Sequence, residues 1–473
     1  MRKSIILILL SFTVRTSFGD VEDAWRVLSK SRDNIASYPR VAEELIDSGL
    51  YFTSIPYLKE FLSKSQGRVS RKVDRLIDRV ITKVGVRQFG VLPLATLQKA
   101  SSPTVKYILA KKLFRRGKYQ SALKQLNASI PRSHPVKPFA LLLEGSILSI
   151  MGKSKSAIAA YENCIVISKD RMNKTDDKNQ LRQLAINRDY CIVGIPRTQF
   201  GAKSFGSASS TYLDLSKDSY VWPEILFEEA WNSFYLRDYN RTLGKLVTYK
   251  APIMNFIFNS EVEVLKALTY MELCLFNDAK DVVDRFYKTY QKDSKVVQRF
   301  LAKHGRDYKY YYLLAKSKNN GKSSGNKLLN KLLDNTLKDA TFLELIDSFN
   351  VGREEIKIMK SLEKGVAQRV FTLNLRDSLV LQRDLIGAYV RKNLQDNLKN
   401  LQKSFEGMTY IKLEVLGRRK KQIYYEYDKL GRSRGDIEYL KRNDKQYFWT
   451  FNGEFWADEL GDYVFSLQSE CDR

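Results

Sequence analysis

Residues 109–130 read LAKKLFRRGKYQSALKQLNASI, and the spacing inside this stretch decides the fold. Counted from Ala122, a small residue, Ala110, lies twelve positions before and Gly117 five before. The aromatic Tyr119 lies three before, and Leu126 four after. The same template recurs around Ser54, Gln88, Ala122, Ala157, Ala208, Thr242 and Ala279, at spacings of 34, 34, 35, 51, 34 and 37 residues. A turn former between two stretches with helical apolar spacing predicts a helical hairpin. Small residues let the two helices of a hairpin approach closely, and the Leu and aromatic positions fill the gap to the next. A single such hairpin cannot bury its apolar face alone, so the repeat predicts a stack.

Five of the seven copies fit the template well. The first (Ala42, Leu45, Gly49, Tyr51, Ser54, Leu58, Phe61) carries Pro56 within its second helix. The copy around Gln88 rests mainly on spacing, and the copy around Ala208 has Pro196 where a small residue belongs. The 51-residue interval holds a charged insertion, KDRMNKTDDKNQLRQ at 169–183, expected as a surface loop or a helix extension.

These copies resemble the tetratricopeptide repeat (TPR) family. The resemblance implies an all-α, right-handed superhelical solenoid over residues 20–318, whose first helices line a concave groove. Family positions carried onto this chain place Tyr107, Lys111, Phe114, Arg115, then Arg197 and Phe200, then Phe227, Trp231, Phe234 and Tyr235 toward that groove. About half of them are expected to be exposed and the rest to belong to the core between hairpins. An aromatic and basic groove suits an acidic or apolar peptide segment of a protein partner. The Lys and Asn set with which some members clamp a C-terminal carboxylate is not recognisable.

At the start of the chain, Arg2 and Lys3 precede the apolar run SIILILLSFTV, and Ser17-Phe18-Gly19 follows. This reads as a cleavable signal peptide over 1–19, with a mature chain from near Asp20 in a bacterial periplasm or outside the cell. Asn127, Asn173 and Asn240 open glycosylation sequons, and the packed position of Thr242 argues against a glycan on Asn240. Of the four cysteines, Cys164 and Cys274 occupy repeat positions and read as packing residues; an oxidising compartment would allow Cys191 and Cys471 to pair. The formal net charge of +27 favours acidic partners. In an exported protein these are anionic envelope polymers, phospholipid surfaces or acidic proteins rather than nucleic acid.

After the repeats, the polar segment 319–327 is a loop or linker candidate. Residues 328–427 imply long helices, by spacings such as Leu362, Val366, Val370 and Leu394, Leu398, Leu401, Phe405. These helices either pack on the solenoid, the preferred reading, or form a coiled-coil arm. Residues 410–427 read as helix or, through Ile411, Leu413 and Val415, as strand, with helix preferred. Residues 428–473 are basic and then aromatic, with Trp449, Phe451, Phe455, Trp456 and Tyr463. So apolar a segment must dock or bind. It is expected either to cap the end of the solenoid or the long helices, or to present Trp449, Phe455 and Trp456 to a partner.

The residues for chemistry are sparse. His134 and His304 stand in unrelated contexts, and there is no phosphate-binding Gly-rich loop, nucleophile elbow or close Cys pair. No catalytic residue, metal site or cofactor is therefore expected. Glu454, Asp458 and Glu459 could face one another at helical spacing beside Trp456, although surface carboxylates are the plainer reading. The sequence points to a non-enzymatic scaffold or adaptor in an exported, envelope-associated complex, or else to a binder of anionic cell-wall or surface polymer.

Overall fold

Six turns at one repeat position share one geometry. In the computed structural model, which describes residues 19–31, 34–127, 130–422, 437, 440 and 442–471, Gly49, Gly117, Gly152, Lys203, Arg237 and Cys274 adopt φ between +57 and +77°. Each lies five residues before an anchor. Its N–H donates to the carbonyl three residues back, and the next N–H donates to the carbonyl five residues back at 2.8–3.0 Å, from Leu50→Leu45 to Leu275→Tyr270. This is the Schellman closure of a helix C-terminus, which needs a left-handed residue. The second helix of each hairpin then begins three residues before the anchor, at Tyr51, Tyr119, Ser154, Phe205, Tyr239 and Phe276. All seven anchors are fully buried.

The copy around Gln88 departs from this frame. Its turn residue is Gly85, and the following helix is only Arg87–Gly90. Gln88 is buried through a different arrangement, donating to the Ser378 carbonyl at 3.0 Å and accepting from Lys59 at 3.1 Å. The copy around Ala208, by contrast, has the full turn, with Pro196 buried inside the helix Lys178–Gly201.

Twenty α-helices carry most of the described residues, and the strands among them are two residues each. The chain divides into two units. One comprises residues up to Val105 together with Ser348–Leu381, the other Lys106–Asp347 with Gln382–Arg473. In the first, the helices Tyr38–Asp47, Tyr51–Lys64 and Arg71–Val84 bury their apolar faces, the last through Val73, Leu76, Ile77, Val80, Ile81 and Val84. Buried Phe371 meets Trp25 and Tyr57 edge-on, at centroid separations of 6.4 Å each. Glu355 caps the start of the helix Tyr51–Lys64. The expected long helices are Ala340–Ser361 and Val366–Gln422, and within each unit their residues pack on the hairpins. Helix runs through 410–422, as preferred; 423–427 and the expected signal peptide, apart from Gly19, lie outside the described residues.

In the second unit Tyr161 shows how hairpins interlock. A Cβ placed on Gly145 or Gly194 would come within 2.6 Å of its ring, so the ring lies flush against two helices. The insertion proves to be a helix extension: the helix Ser154–Met172 runs on into it, and Asp177 caps Lys178–Gly201 by accepting from Asn179 at 2.9 Å. Residues 320–326 form a short loop within this unit, closed by Ser324 and Asn330, and not a linker between units.

The cysteine expectation is corrected. Cys164 bonds to Cys191 and Cys274 to Cys471, with Cα separations of 6.2 and 5.0 Å. The first pair sits in one apolar cluster with Ala157, Tyr161 and Ile167. The second joins the left-handed turn residue Cys274 to the tail. That tail docks along the helix Tyr239–Val247 rather than over a helix end. Strand Trp449–Thr450 pairs in parallel with Tyr463–Val464, and Leu460 and Tyr463 join a cluster with Trp222, Leu226 and Val247. Gly244 permits this approach, since a Cβ there would lie 1.6 Å from the Tyr463 carbonyl oxygen. The Asn240 amide holds Leu467 at both its N–H (2.9 Å) and its carbonyl (3.1 Å). The third sequon is thus committed to an internal contact.

Candidate binding cleft

The helix Trp222–Tyr235 carries Glu224, Phe227 and Glu228 at i, i+3, i+4, which puts the three on one face. The preceding first helix, Lys178–Gly201, presents Tyr190 and Arg197 two turns apart toward them. Arg197 donates to both Glu228 oxygens (2.8 and 2.6 Å) and to Glu224 (3.0 Å), and lies 5.9 Å from the Tyr190 ring centre. Tyr190 and Tyr212 donate their hydroxyls to Glu224 and Glu228 at 3.0 and 3.3 Å. Burial would lower the Arg197 pKa, but these carboxylates more than offset it and hold the guanidinium charged. Burial first, then Glu224, raises the Tyr190 phenol, so it stays a donor.

This face forms one wall of a cleft of about 750 Å³. The other walls come from Phe256–Glu261, Asn335–Ala340, and Asn397 and Asn400 of the long helix. Fixed bonds hold the rim. Asn335 accepts from the Phe258 N–H at 3.2 Å, and Tyr220 donates to the Lys338 carbonyl. Asp339 caps the helix Ala340–Ser361 by accepting from Thr341 at 2.7 Å and also accepts from the Tyr389 hydroxyl. Among the lining residues Asp218, Glu224, Glu228, Glu261 and Asp339 face a single cation, Lys338, and six are aromatic.

The groove residues expected from sequence divide into four groups, with Phe227 in two of them. Phe227 lines the cleft and Arg197 is bound to its wall, already paired rather than offered to an acidic ligand. Phe227, Trp231 and Phe234 pack on Ala230, Leu246, Val262 and Leu265, between hairpins. Tyr235, 53% exposed, stacks on Phe205 at 5.0 Å with Phe200 edge-on to both. Tyr107, Lys111, Phe114 and Arg115 are not among the cleft's lining residues: Tyr107 is buried with Lys111 5.2 Å from its ring, Phe114 packs on Tyr119, and Arg115 is exposed.

In the tail Trp449 and Trp456 are exposed, while Phe455 turns inward onto Phe451 and Tyr463. Residues 457–460 form turns rather than helix, so Glu454, Asp458 and Glu459 do not share a helical face. His304 stacks on Tyr310 and His134 accepts from the Val136 N–H, both local roles. Among the described residues no group of three or more His, Cys, Asp or Glu side chains could hold a metal ion, and no helix is long and apolar enough to cross a membrane.

Sequence reasoning missed the acidic lining. The pair Glu224 and Glu228 beside Phe227 was a legible i, i+4 signal; Asp218, Glu261 and Asp339 come from separate stretches and carried none. No protein-family model matches the chain, and no curated protein matches it either.

Proposed function

We propose that this chain is a non-enzymatic scaffold or adaptor of an exported, envelope-associated bacterial complex. On this reading its hairpins form a TPR-like right-handed superhelix that engages a protein partner through the groove. The observation that carries it is the aromatic cleft of about 750 Å³ with two successive first helices as one wall, a volume within the usual range for ligand sites. Two disulfides support export, because such bonds persist in oxidising compartments. The test is in-cell crosslinking of the tagged protein with mass spectrometry, beside a Tyr220→Ala, Phe227→Ala variant. Tyr220 and Phe227 line the cleft, although Phe227 also packs between hairpins, whereas Trp231 and Phe234 are not among its lining residues. A defined protein lost in the variant supports the reading; capture unchanged by the variant, or no protein at all, overturns it.

A second reading, attachment to an anionic polymer or lipid surface, has its own observation. Tyr410, Leu413 and Leu416 are 75, 63 and 50% exposed near the end of the long helix, beside Lys412 and the basic run 418–421. Such attachment would weaken steeply with salt, while aromatic anchoring in the cleft would largely persist.

A further inference from the structure

Building on the groove reading above, we propose that the cleft recognises a cationic partner segment, one that offers Lys or Arg side chains flanked by apolar residues. The sign of the site is the reason. A chain of net charge +27 surrounds this cavity with five carboxylates and one Lys. Its lining inverts the charge of the whole molecule.

The site also contains a worked instance of the recognition. Arg197 lies against the wall with its guanidinium shared by Glu224 and Glu228 and set over the Tyr190 ring. Carboxylate on the edge and aromatic ring on the face is the arrangement that binds a guanidinium or ammonium group. Arg197 satisfies only its own two carboxylates. Asp218 and Glu261 are exposed at the rim, with no ion pair to the described residues. Tyr220 and Phe256 offer apolar surface for the methylene stems of long cationic side chains. An acidic segment, which net charge alone would favour, would meet the like charge of Asp218, Glu224, Glu228, Glu261 and Asp339, with Lys338 the one cation among the lining residues.

Charge complementarity commits the occupant. A second copy of this chain is disfavoured at long range by its own +27 charge, and an anionic surface is repelled by the cleft itself. A cationic segment meets repulsion from the whole protein at a distance and attraction only within the cleft. Its association is therefore expected to quicken as salt screens the long-range field, opposite to ordinary steered binding.

The test uses fluorescence anisotropy on the full chain, with a short labelled peptide alternating Lys and Phe and a counterpart with Glu in place of Lys. An Asp218→Asn, Glu261→Gln variant changes two exposed rim residues and leaves the Arg197 network intact. The Lys–Phe peptide should bind and lose about tenfold in affinity in the variant, as expected for two rim charge pairs, while Glu354→Gln, exposed in the other unit, should change nothing. No binding of the Lys–Phe peptide, or equal binding by the variant, overturns the inference. Binding of the Glu–Phe peptide that is lost in Phe227→Ala overturns it too, yet leaves the groove reading standing. That reading fails separately, in the crosslinking experiment.

Discussion

The Glu355 carboxylate accepts the backbone N–H of Thr53 at 3.0 Å on one oxygen and that of Phe52 at 2.6 Å on the other, and the Thr53 hydroxyl donates to it at 2.9 Å. The helix Tyr51–Lys64 needs this partner because its N-cap, Leu50, has no side-chain acceptor. Glu355→Ala should therefore destabilise by about 3 kcal/mol, the cost of leaving buried donors unpaired, whereas Glu355→Gln, which keeps one acceptor, should cost less. Denaturant midpoints of the two variants check this.

The same group sets a pH dependence. Burial pushes its carboxyl up to about 7 from the ordinary value of 4.5, against the hydrogen bonds from Phe52 and Thr53 that pull it down. Between those values the unfolded chain releases a proton that the folded chain keeps, so stability falls as pH rises through the window, by about 3 kcal/mol in all. Glu355→Gln lacks this slope. Chemical denaturation across the window should show the wild type losing ground to the variant; parallel curves would contradict the assignment.

Lys203 and Arg237 hold the left-handed turn position that Gly holds at 49, 117 and 152. A side chain there costs about 1 kcal/mol. Arg237→Gly and Lys203→Gly should each raise the thermal midpoint, and Gly117→Ala should lower it, although nothing lies within 4 Å of the added Cβ.

The two disulfides differ in the loops they close, with sequence separations of 27 and 197 residues. The chain-entropy relation assigns about 3.5 kcal/mol to the shorter and about 5 kcal/mol to the longer. Cys274→Ser with Cys471→Ser should thus cost more than Cys164→Ser with Cys191→Ser in equilibrium unfolding.

Asn240 and Gly244 hold the tail by different means, a two-point hydrogen bond and a close backbone approach. Asn240→Ala should loosen it by about 1–2 kcal/mol, and Gly244→Ala should displace it, since the new Cβ has no room. Limited proteolysis within residues 446–470 should quicken in that order, and further once Cys274–Cys471 is reduced.

Local chemistry was legible where it repeats. The position five before the anchor announced the left-handed turns at Gly49, Gly117 and Gly152; Lys203, Arg237 and Cys274 take the same turn without a turn-forming residue type, and Cys274 reads from sequence as a packing residue. The Gln88 copy kept its spacing but has its turn at Gly85, and the buried Gln pairs with Lys59 and Ser378. The groove aromatics were legible as a set, but their division between cleft and core was not. That division depends on which neighbouring hairpin covers each ring.

By itself the sequence determined most of the helices and the glycine turns between them, because these are decided within one or two turns by sterics and backbone hydrogen bonding, and its repeat spacing marked the anchors that stacking buries. The tertiary structure alone decided the partners: Glu355 for Thr53, Cys471 for Cys274, Asn240 for Leu467, and the carboxylates gathered around Arg197. Those contacts join residues tens to hundreds of positions apart. Their specificity comes from which burial leaves no polar group unpaired, a condition on the folded whole that no local spacing encodes.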